Sequence, residues 1–161
     1  MKKIEIEIPE GKCAKWVDGV LTLVDEKPQD ITERIKTLED AIKALGDNHP
    51  LVSQCYRAVA EFKYNPMTED SLAYLKLRII AAALNEGWEP TFDKDEERWY
   101  PWFKIKQGGL VGAGAGDAGS DSYACYGVRL VFKSKELAEY AGKQFTDIYN
   151  DFCYKTSNQE Q

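Results

Sequence analysis

Polar and apolar residues alternate at the start of the chain. Ile4, Ile6 and Ile8 fall on one side and Lys3, Glu5 and Glu7 on the other, the period of a half-buried strand. Pro9-Glu10-Gly11 interrupts it, and Asp18-Gly19 then separates two apolar runs, Ala14 to Val17 and Val20 to Val24. An Asp-Gly pair in that setting predicts a two-residue hairpin. Its register places Trp16 opposite Leu21 and Ala14 opposite Leu23, making one face apolar. From Asp30 onwards the apolar spacing lengthens to that of a helix. Asp30-Ile31-Thr32-Glu33 has the form of a capping box, and Ile31, Ile35, Leu38, Ile42 and Leu45 make a single stripe ending at Gly46. A second helix opens at Pro50, with Val52, Cys55, Val59 and Phe62 as its stripe. After Asn65-Pro66, Thr68 caps a third helix that runs to Glu86. Leu72, Leu75, Ile79 and Ala83 lie on one side of it and Leu77, Ile80 and Leu84 on others, the pattern of a helix at the centre of a core.

Gly87-Trp88-Glu89-Pro90 ends that helix, and strand spacing returns. Arg98 to Lys106 is rich in aromatics, and Ser122 to Lys133 ends in Val128-Arg129-Leu130-Val131-Phe132. These two stretches are expected to pair. Between them, Gly108 to Gly119 holds six of the chain's twelve glycines and reads as a flexible hairpin loop. Ser134 caps a last helix with Leu137, Ala141, Phe145, Ile148 and Phe152 on one face. A glycine inside it, Gly142, gives up about 1 kcal/mol of helix propensity relative to alanine, which points to close packing at that position. The order of elements predicts an α+β fold. A small antiparallel sheet, built from the N-terminal strands and hairpin plus a C-terminal strand pair, packs on about four helices. In the expected core, Leu75, Ile79 and Ala83 meet Phe103, Leu130 and Phe132, Trp88 covers one end, and Phe145 and Ile148 pack nearby. Residues 1–156 are expected to form one α+β domain, with residues 157–161 a frayed polar tail.

Composition narrows the function classes. The chain has 161 residues, 43% of them hydrophobic and 30% charged, and a formal charge of −6. That is the balance of an ordinary globular protein. No apolar run reaches the ~18 residues of a membrane span, and the N-terminus has no continuous apolar stretch of the signal-peptide kind, so neither a membrane nor secretion is expected. Cys13, Cys55, Cys125 and Cys153 are far apart, which suits reduced thiols in a cytoplasm better than a disulfide framework or a zinc site.

Three segments carry family markers: Leu75 to Pro90, Trp99-Tyr100-Pro101-Trp102-Phe103, and Phe132-Lys133-Ser134-Lys135-Glu136-Leu137-Ala138 running on to Phe145. Together they resemble a family of small uncharacterised proteins carried by phages, prophages and mobile elements of gut anaerobic (Bacteroides-type) bacteria. The shared order is a helix, a Gly-Trp-x-Pro exit, an aromatic strand, a variable loop, a strand, and a helix opened by Phe-Lys-Ser-x-x-Leu-Ala. The resemblance runs from the Ile-Pro-Glu-Gly start to Phe152 and implies an accessory protein of such an element, without implying an activity or a site residue. The glycine-rich stretch departs from the family, which carries a more polar insertion there.

Candidate chemistry is sparse. Gly114-Ala115-Gly116-Asp117-Ala118-Gly119 is formally Gly-x-Gly-x-x-Gly, but a dinucleotide site needs a helix directly after it, and the sequel reads as a strand. The run Asp93-Lys94-Asp95-Glu96-Glu97 lacks the turn glycine and distant glutamate of a calcium loop and reads as a solvated segment. His49 is the only histidine, and its place before Pro50 suits the opening of a helix. No catalytic, cofactor or metal residue is therefore assigned. The aromatic strand is more informative. Tyr100, Trp102, Lys104 and Lys106 share one face with Arg98, and Arg129 and Lys133 fall on the matching face of the expected partner strand. Aromatics mixed with cations suit a protein interface, with a partner protein or a second copy. The same mixture suits stacking of single-stranded nucleic acid, although net charge −6 weakens long-range attraction to it. The sequence thus predicts a non-enzymatic, cytoplasmic protein acting through protein contacts, with single-strand binding as the alternative.

Overall fold

The computed structural model describes residues 7–9, 11–17, 19–25, 30–61, 69–91, 93, 95–117 and 128–154. Within them the chain has an α+β fold with two separate two-stranded antiparallel sheets and six α-helices. The expected single sheet is therefore two hairpins, and the expected four helices are six. The chain parts into two units, residues 1–34 and 35–161.

In the first unit, β1 (Lys12–Val17) pairs with β2 (Val20–Asp25), with Trp16 opposite Leu21 and Ala14 opposite Leu23 as the Asp-Gly turn predicts. Of the alternating N-terminal stretch, Glu7, Ile8 and Pro9 carry no strand, and residues 1–6 lie outside the described residues. A four-residue helix, α1 (Ile31–Arg34), follows. The Asp30 carboxylate accepts from the Thr32 amide at 2.9 Å and the Thr32 hydroxyl at 2.8 Å.

The stripe from Ile31 to Leu45 does not form one helix. It breaks between α1 and α2 (Leu38–Leu45), because Thr37 opens a new one. The Thr37 hydroxyl accepts from the Asp40 amide, while the Asp40 carboxylate accepts from the Lys36 and Thr37 amides. Two carbonyls at the break, those of Ile35 and Lys36, accept instead from Tyr140 Oη and Gln144 Nε2, both at 2.7 Å. Thus the local cap and distant donors outweigh a continuous apolar stripe.

Helix α3 (Pro50–Glu61) opens as expected. His49 Nδ1 accepts from the Leu51 amide at 3.3 Å, so the histidine caps the helix. Its buried side chains are Val52, Cys55 and Ala58; Val59 is exposed, and Phe62 lies outside the described residues, as does the proposed Thr68 cap. Helix α4 (Glu69–Asn85) is the centre of the core, with Leu75, Leu77, Ile79, Ile80, Ala83 and Leu84 all buried. It packs on α2, α3 and α6 (Thr146–Cys153). The expected contact of α4 with the aromatic strand falls to other helices. The second hairpin is covered chiefly by α5 (Lys135–Gln144), with α6 against its second strand.

That hairpin corrects the sequence reading most. Strand β3 (Trp99–Lys106) pairs with β4 (Gly109–Asp117), so the glycine-rich stretch is a strand, and Gln107-Gly108 is the turn. Of the expected partner strand, residues 122–127 lie outside the described residues, and Val128–Leu130 is a 3-10 turn. Among its described residues Phe132 alone joins β3, through two backbone bonds with Trp99 at 2.7 and 3.0 Å. Asn85 at the end of α4 holds the other side of that segment. Its Nδ2 donates to the Val131 carbonyl at 2.8 Å, and its Oδ1 accepts from the Lys133 amide at 3.0 Å. Backbone groups that would otherwise be buried unpaired are satisfied in this way.

The last apolar stripe is also broken, at Phe145. Ser134 caps α5 as predicted, with its hydroxyl accepting from the Leu137 amide. Thr146 Oγ1 then donates back to the Gly142 carbonyl at 2.6 Å, a contact that bends helices, and α6 starts anew after Phe145, whose backbone leaves helical geometry at φ −116° and ψ 28°.

Candidate functional site

The two faces of the β3–β4 hairpin have different jobs, and the glycines of β4 show which is which. A methyl group at Gly114 would lie 2.6–2.7 Å from Cε2, Cζ2 and Nε1 of Trp102, and one at Gly116 would lie 2.7 Å from Cζ of Tyr100. Both rings therefore reach from β3 across β4, over positions that only glycine leaves open. Trp102 is opposite Gly114 and Tyr100 is opposite Gly116 in the register. On the reverse face, Ala113, Pro101 and Phe103 meet Gly142 of α5, so alternate residues of Gly-Ala-Gly-Ala-Gly serve opposite faces. A shift in register between Phe103 and Lys104 absorbs one extra residue at Gly112, whose φ of +60° suits glycine.

Tyr100, Trp102, Lys104 and Lys106 share the outer face by strand alternation. Trp102 is 42% exposed, and Val111, opposite Lys104, is exposed beside it. Among the described residues neither lysine makes an ion pair, and no strand residue on this face carries a carboxylate. The result is an aromatic ridge with cations along one end.

The other residues singled out by sequence lie elsewhere. Arg98, only 7% exposed, turns into its own loop. Its Nε donates to Glu96 at 3.2 Å, and its Nη2 donates to the carbonyls of Thr91 and Asp93. Glu96 also accepts from the Thr91 amide at 2.7 Å, so the acidic run is a tied loop built around one buried guanidinium. Lys133 pairs with Glu86 at 3.2 Å, and Arg129 is exposed on the 3-10 turn. Neither joins the Tyr100–Lys106 face, because among the described residues no strand runs through 128–133 to carry them there.

Burial acts on two titratable groups of the core. Burial pushes the Cys55 thiol up, with Lys76 pulling weakly the other way, and a protonated thiol is a poor nucleophile. Burial likewise pushes the Tyr149 phenol far above its ordinary value. Among the described residues, no three His, Cys, Asp or Glu side chains converge as metal ligands, and the described cysteines are free thiols. No helix among them is long and apolar enough to cross a membrane. No protein-family model, curated protein or solved structure matches the chain.

Sequence reasoning missed the glycine seats, although the signal is present. Gly112, Gly114 and Gly116 recur at the strand period, opposite a strand in which Tyr100 and Trp102 recur at the same period.

Proposed function

We propose that the protein is a non-enzymatic binding protein whose outer β3–β4 face receives an acidic surface of a partner protein. The observation that carries this reading is the seating of Tyr100 and Trp102 over Gly116 and Gly114, with Lys104 and Lys106, in no ion pair among the described residues, alongside. Large aromatics on an open sheet face are the anchors that interfaces favour, and the lysines select a carboxylate-bearing partner. The resemblance to proteins of phages and mobile elements makes an accessory role in such an element, in a cytoplasm, the natural setting.

The test is retention of proteins from a lysate of the source cells on the immobilised full chain. Wild type is compared with Trp102→Ala and with Lys104→Ala/Lys106→Ala, and light scattering reports self-association. The reading requires acidic proteins, or a second copy, retained by wild type and lost from both variants. Equal retention by all three chains contradicts it. Single-stranded nucleic acid is the second reading, favoured by the same pairing of flat rings with lysines. It requires binding to an oligothymidylate that weakens with salt, and a smaller salt slope once both lysines are removed.

A further inference from the structure

The exit of α4 is Gly87-Trp88-Glu89-Pro90, and its last three residues line an open cleft of about 310 Å3. Arg78, Ala81 and Ala82 of α4 line the same cleft, as does Arg129 of the 3-10 turn. Two arginines and a tryptophan therefore line one cleft. Arg129 has no ion pair or hydrogen bond among the described residues, and Arg78 has only the Tyr74 ring, 5.9 Å from its guanidinium carbon. Asn85 also lines the cleft, but both ends of its amide are committed to Val131 and Lys133. Glu89 is exposed at the cleft and is the one carboxylate among its described lining residues.

Two arginines that line one cavity, neither of them in an ion pair among the described residues, repel each other, and an anion placed between them removes that repulsion. Guanidinium groups offer paired N–H donors that match the oxygens of carboxylate or phosphate. Indole adds an apolar flat wall, and Ala81-Ala82 leave room beside it. The volume stands at the lower end of the ~300–1,000 Å3 range of small-molecule sites. We propose that this cleft binds a planar aromatic anion, with its ring against Trp88 and its anionic group between Arg78 and Arg129. The negative end of the α4 dipole lies at this end of the helix and opposes an anion, so the attraction has to come from the two arginines.

Carboxylates and phosphates share this chemistry, and calorimetry on the full chain separates them. The probes are adenosine monophosphate, 4-hydroxybenzoate, adenosine and inorganic phosphate. At least one aromatic anion should bind, and Arg129→Gln should weaken it roughly tenfold or more, as loss of a charge-assisted pair does. Arg129 is exposed, so that variant should fold with an unchanged urea midpoint; Arg78→Gln and Trp88→Leu should weaken binding too. Which anion binds identifies the source. The proposal is overturned if neither aromatic anion binds by about 10 mM. Binding that survives both arginine substitutions also overturns it. Inorganic phosphate as tight as the nucleotide, with 4-hydroxybenzoate silent, overturns the aromatic part.

Discussion

Gly142 lies inside α5, where exchange to alanine on an exposed helix gains about 1 kcal/mol of propensity. Here the sign should reverse. A methyl group at residue 142 would sit 2.6 Å from Cβ of Ala113 and 2.8 Å from Cβ of Pro101. Carbon atoms in contact rest about 3.5–4.0 Å apart, so α5 would have to withdraw from the hairpin by about 1 Å. Neither neighbour can turn aside: the proline ring is fixed to its backbone, and alanine has no rotamer to change. Over-packing costs about 1–3 kcal/mol, and contacts on two rigid groups place this site in the upper part of that range. After the gain in propensity, Gly142→Ala should be destabilised by about 1–2 kcal/mol. Urea unfolding followed by circular dichroism would read this as a lower midpoint at an unchanged slope. Ala113→Gly in the same chain removes the methyl that is struck, and the double-mutant cycle should show coupling of about 0.5 kcal/mol or more. A Gly142→Ala protein about 1 kcal/mol more stable than wild type would refute the packing of α5 on the hairpin.

Gly114→Ala makes an equally short contact, but with an indole that is 42% exposed and free to swing. Its stability should change by less than about 1 kcal/mol, while the near-ultraviolet signal of tryptophan changes; an unaltered signal would mean that Trp102 does not rest on Gly114. Ile79, 0% exposed in α4, should cost about 2–5 kcal/mol when cut to alanine, and a loss under about 0.5 kcal/mol in urea unfolding would place it outside the core. Asn85→Ala strands the carbonyl of buried Val131 and the Lys133 amide, and should cost about 2–3 kcal/mol by the same assay, against near-neutrality if the clamp is unimportant. Backbone amide bonds hold the Asp30 and Asp40 carboxyls below their ordinary value of 3.8, from Thr32 and from Lys36 respectively. The stability these carboxyls supply is complete above that value and is lost as pH falls through the lower folded values. Asp40→Asn should therefore flatten part of the acid limb of a stability–pH profile, and an identical limb would show the cap to be inert.

Local signals carried the sequence reading where one element decides its own geometry. The Asp-Gly turn set the β1–β2 register, the all-round apolar surface of Leu75 to Leu84 marked the central helix, and Gly142 announced a close approach. The readings failed where partners are distant in sequence. Ile35 and Lys36 find donors in Tyr140 and Gln144, more than a hundred residues away, and an unbroken stripe gives no sign of that. Thr37 and Asp40 did carry a cap signal, masked by the stronger apolar pattern around them. The glycines of β4 argue against a strand on propensity alone. They become favourable only once the rings of β3 cover them, which is a property of the pair. The candidate site followed the same rule. Tyr100, Trp102, Lys104 and Lys106 share a face through one strand's alternation. Arg98 stands just before that strand and is drawn into its own loop by Glu96 and the Thr91 and Asp93 carbonyls, whereas Arg129 and Lys133 depended on a second strand that residues 128–130 do not continue.

The outer face of β3–β4 is most directly tested by nuclear magnetic resonance of the full chain titrated with poly-L-glutamate. The account predicts that the Trp102 indole N–H and the amides of Lys104, Lys106 and Gly114 shift together, that the shifts fade with added salt, and that Lys104→Ala/Lys106→Ala abolishes them. Shifts confined to other surfaces, or a Trp102 indole that stays in place while the polymer binds, would contradict it.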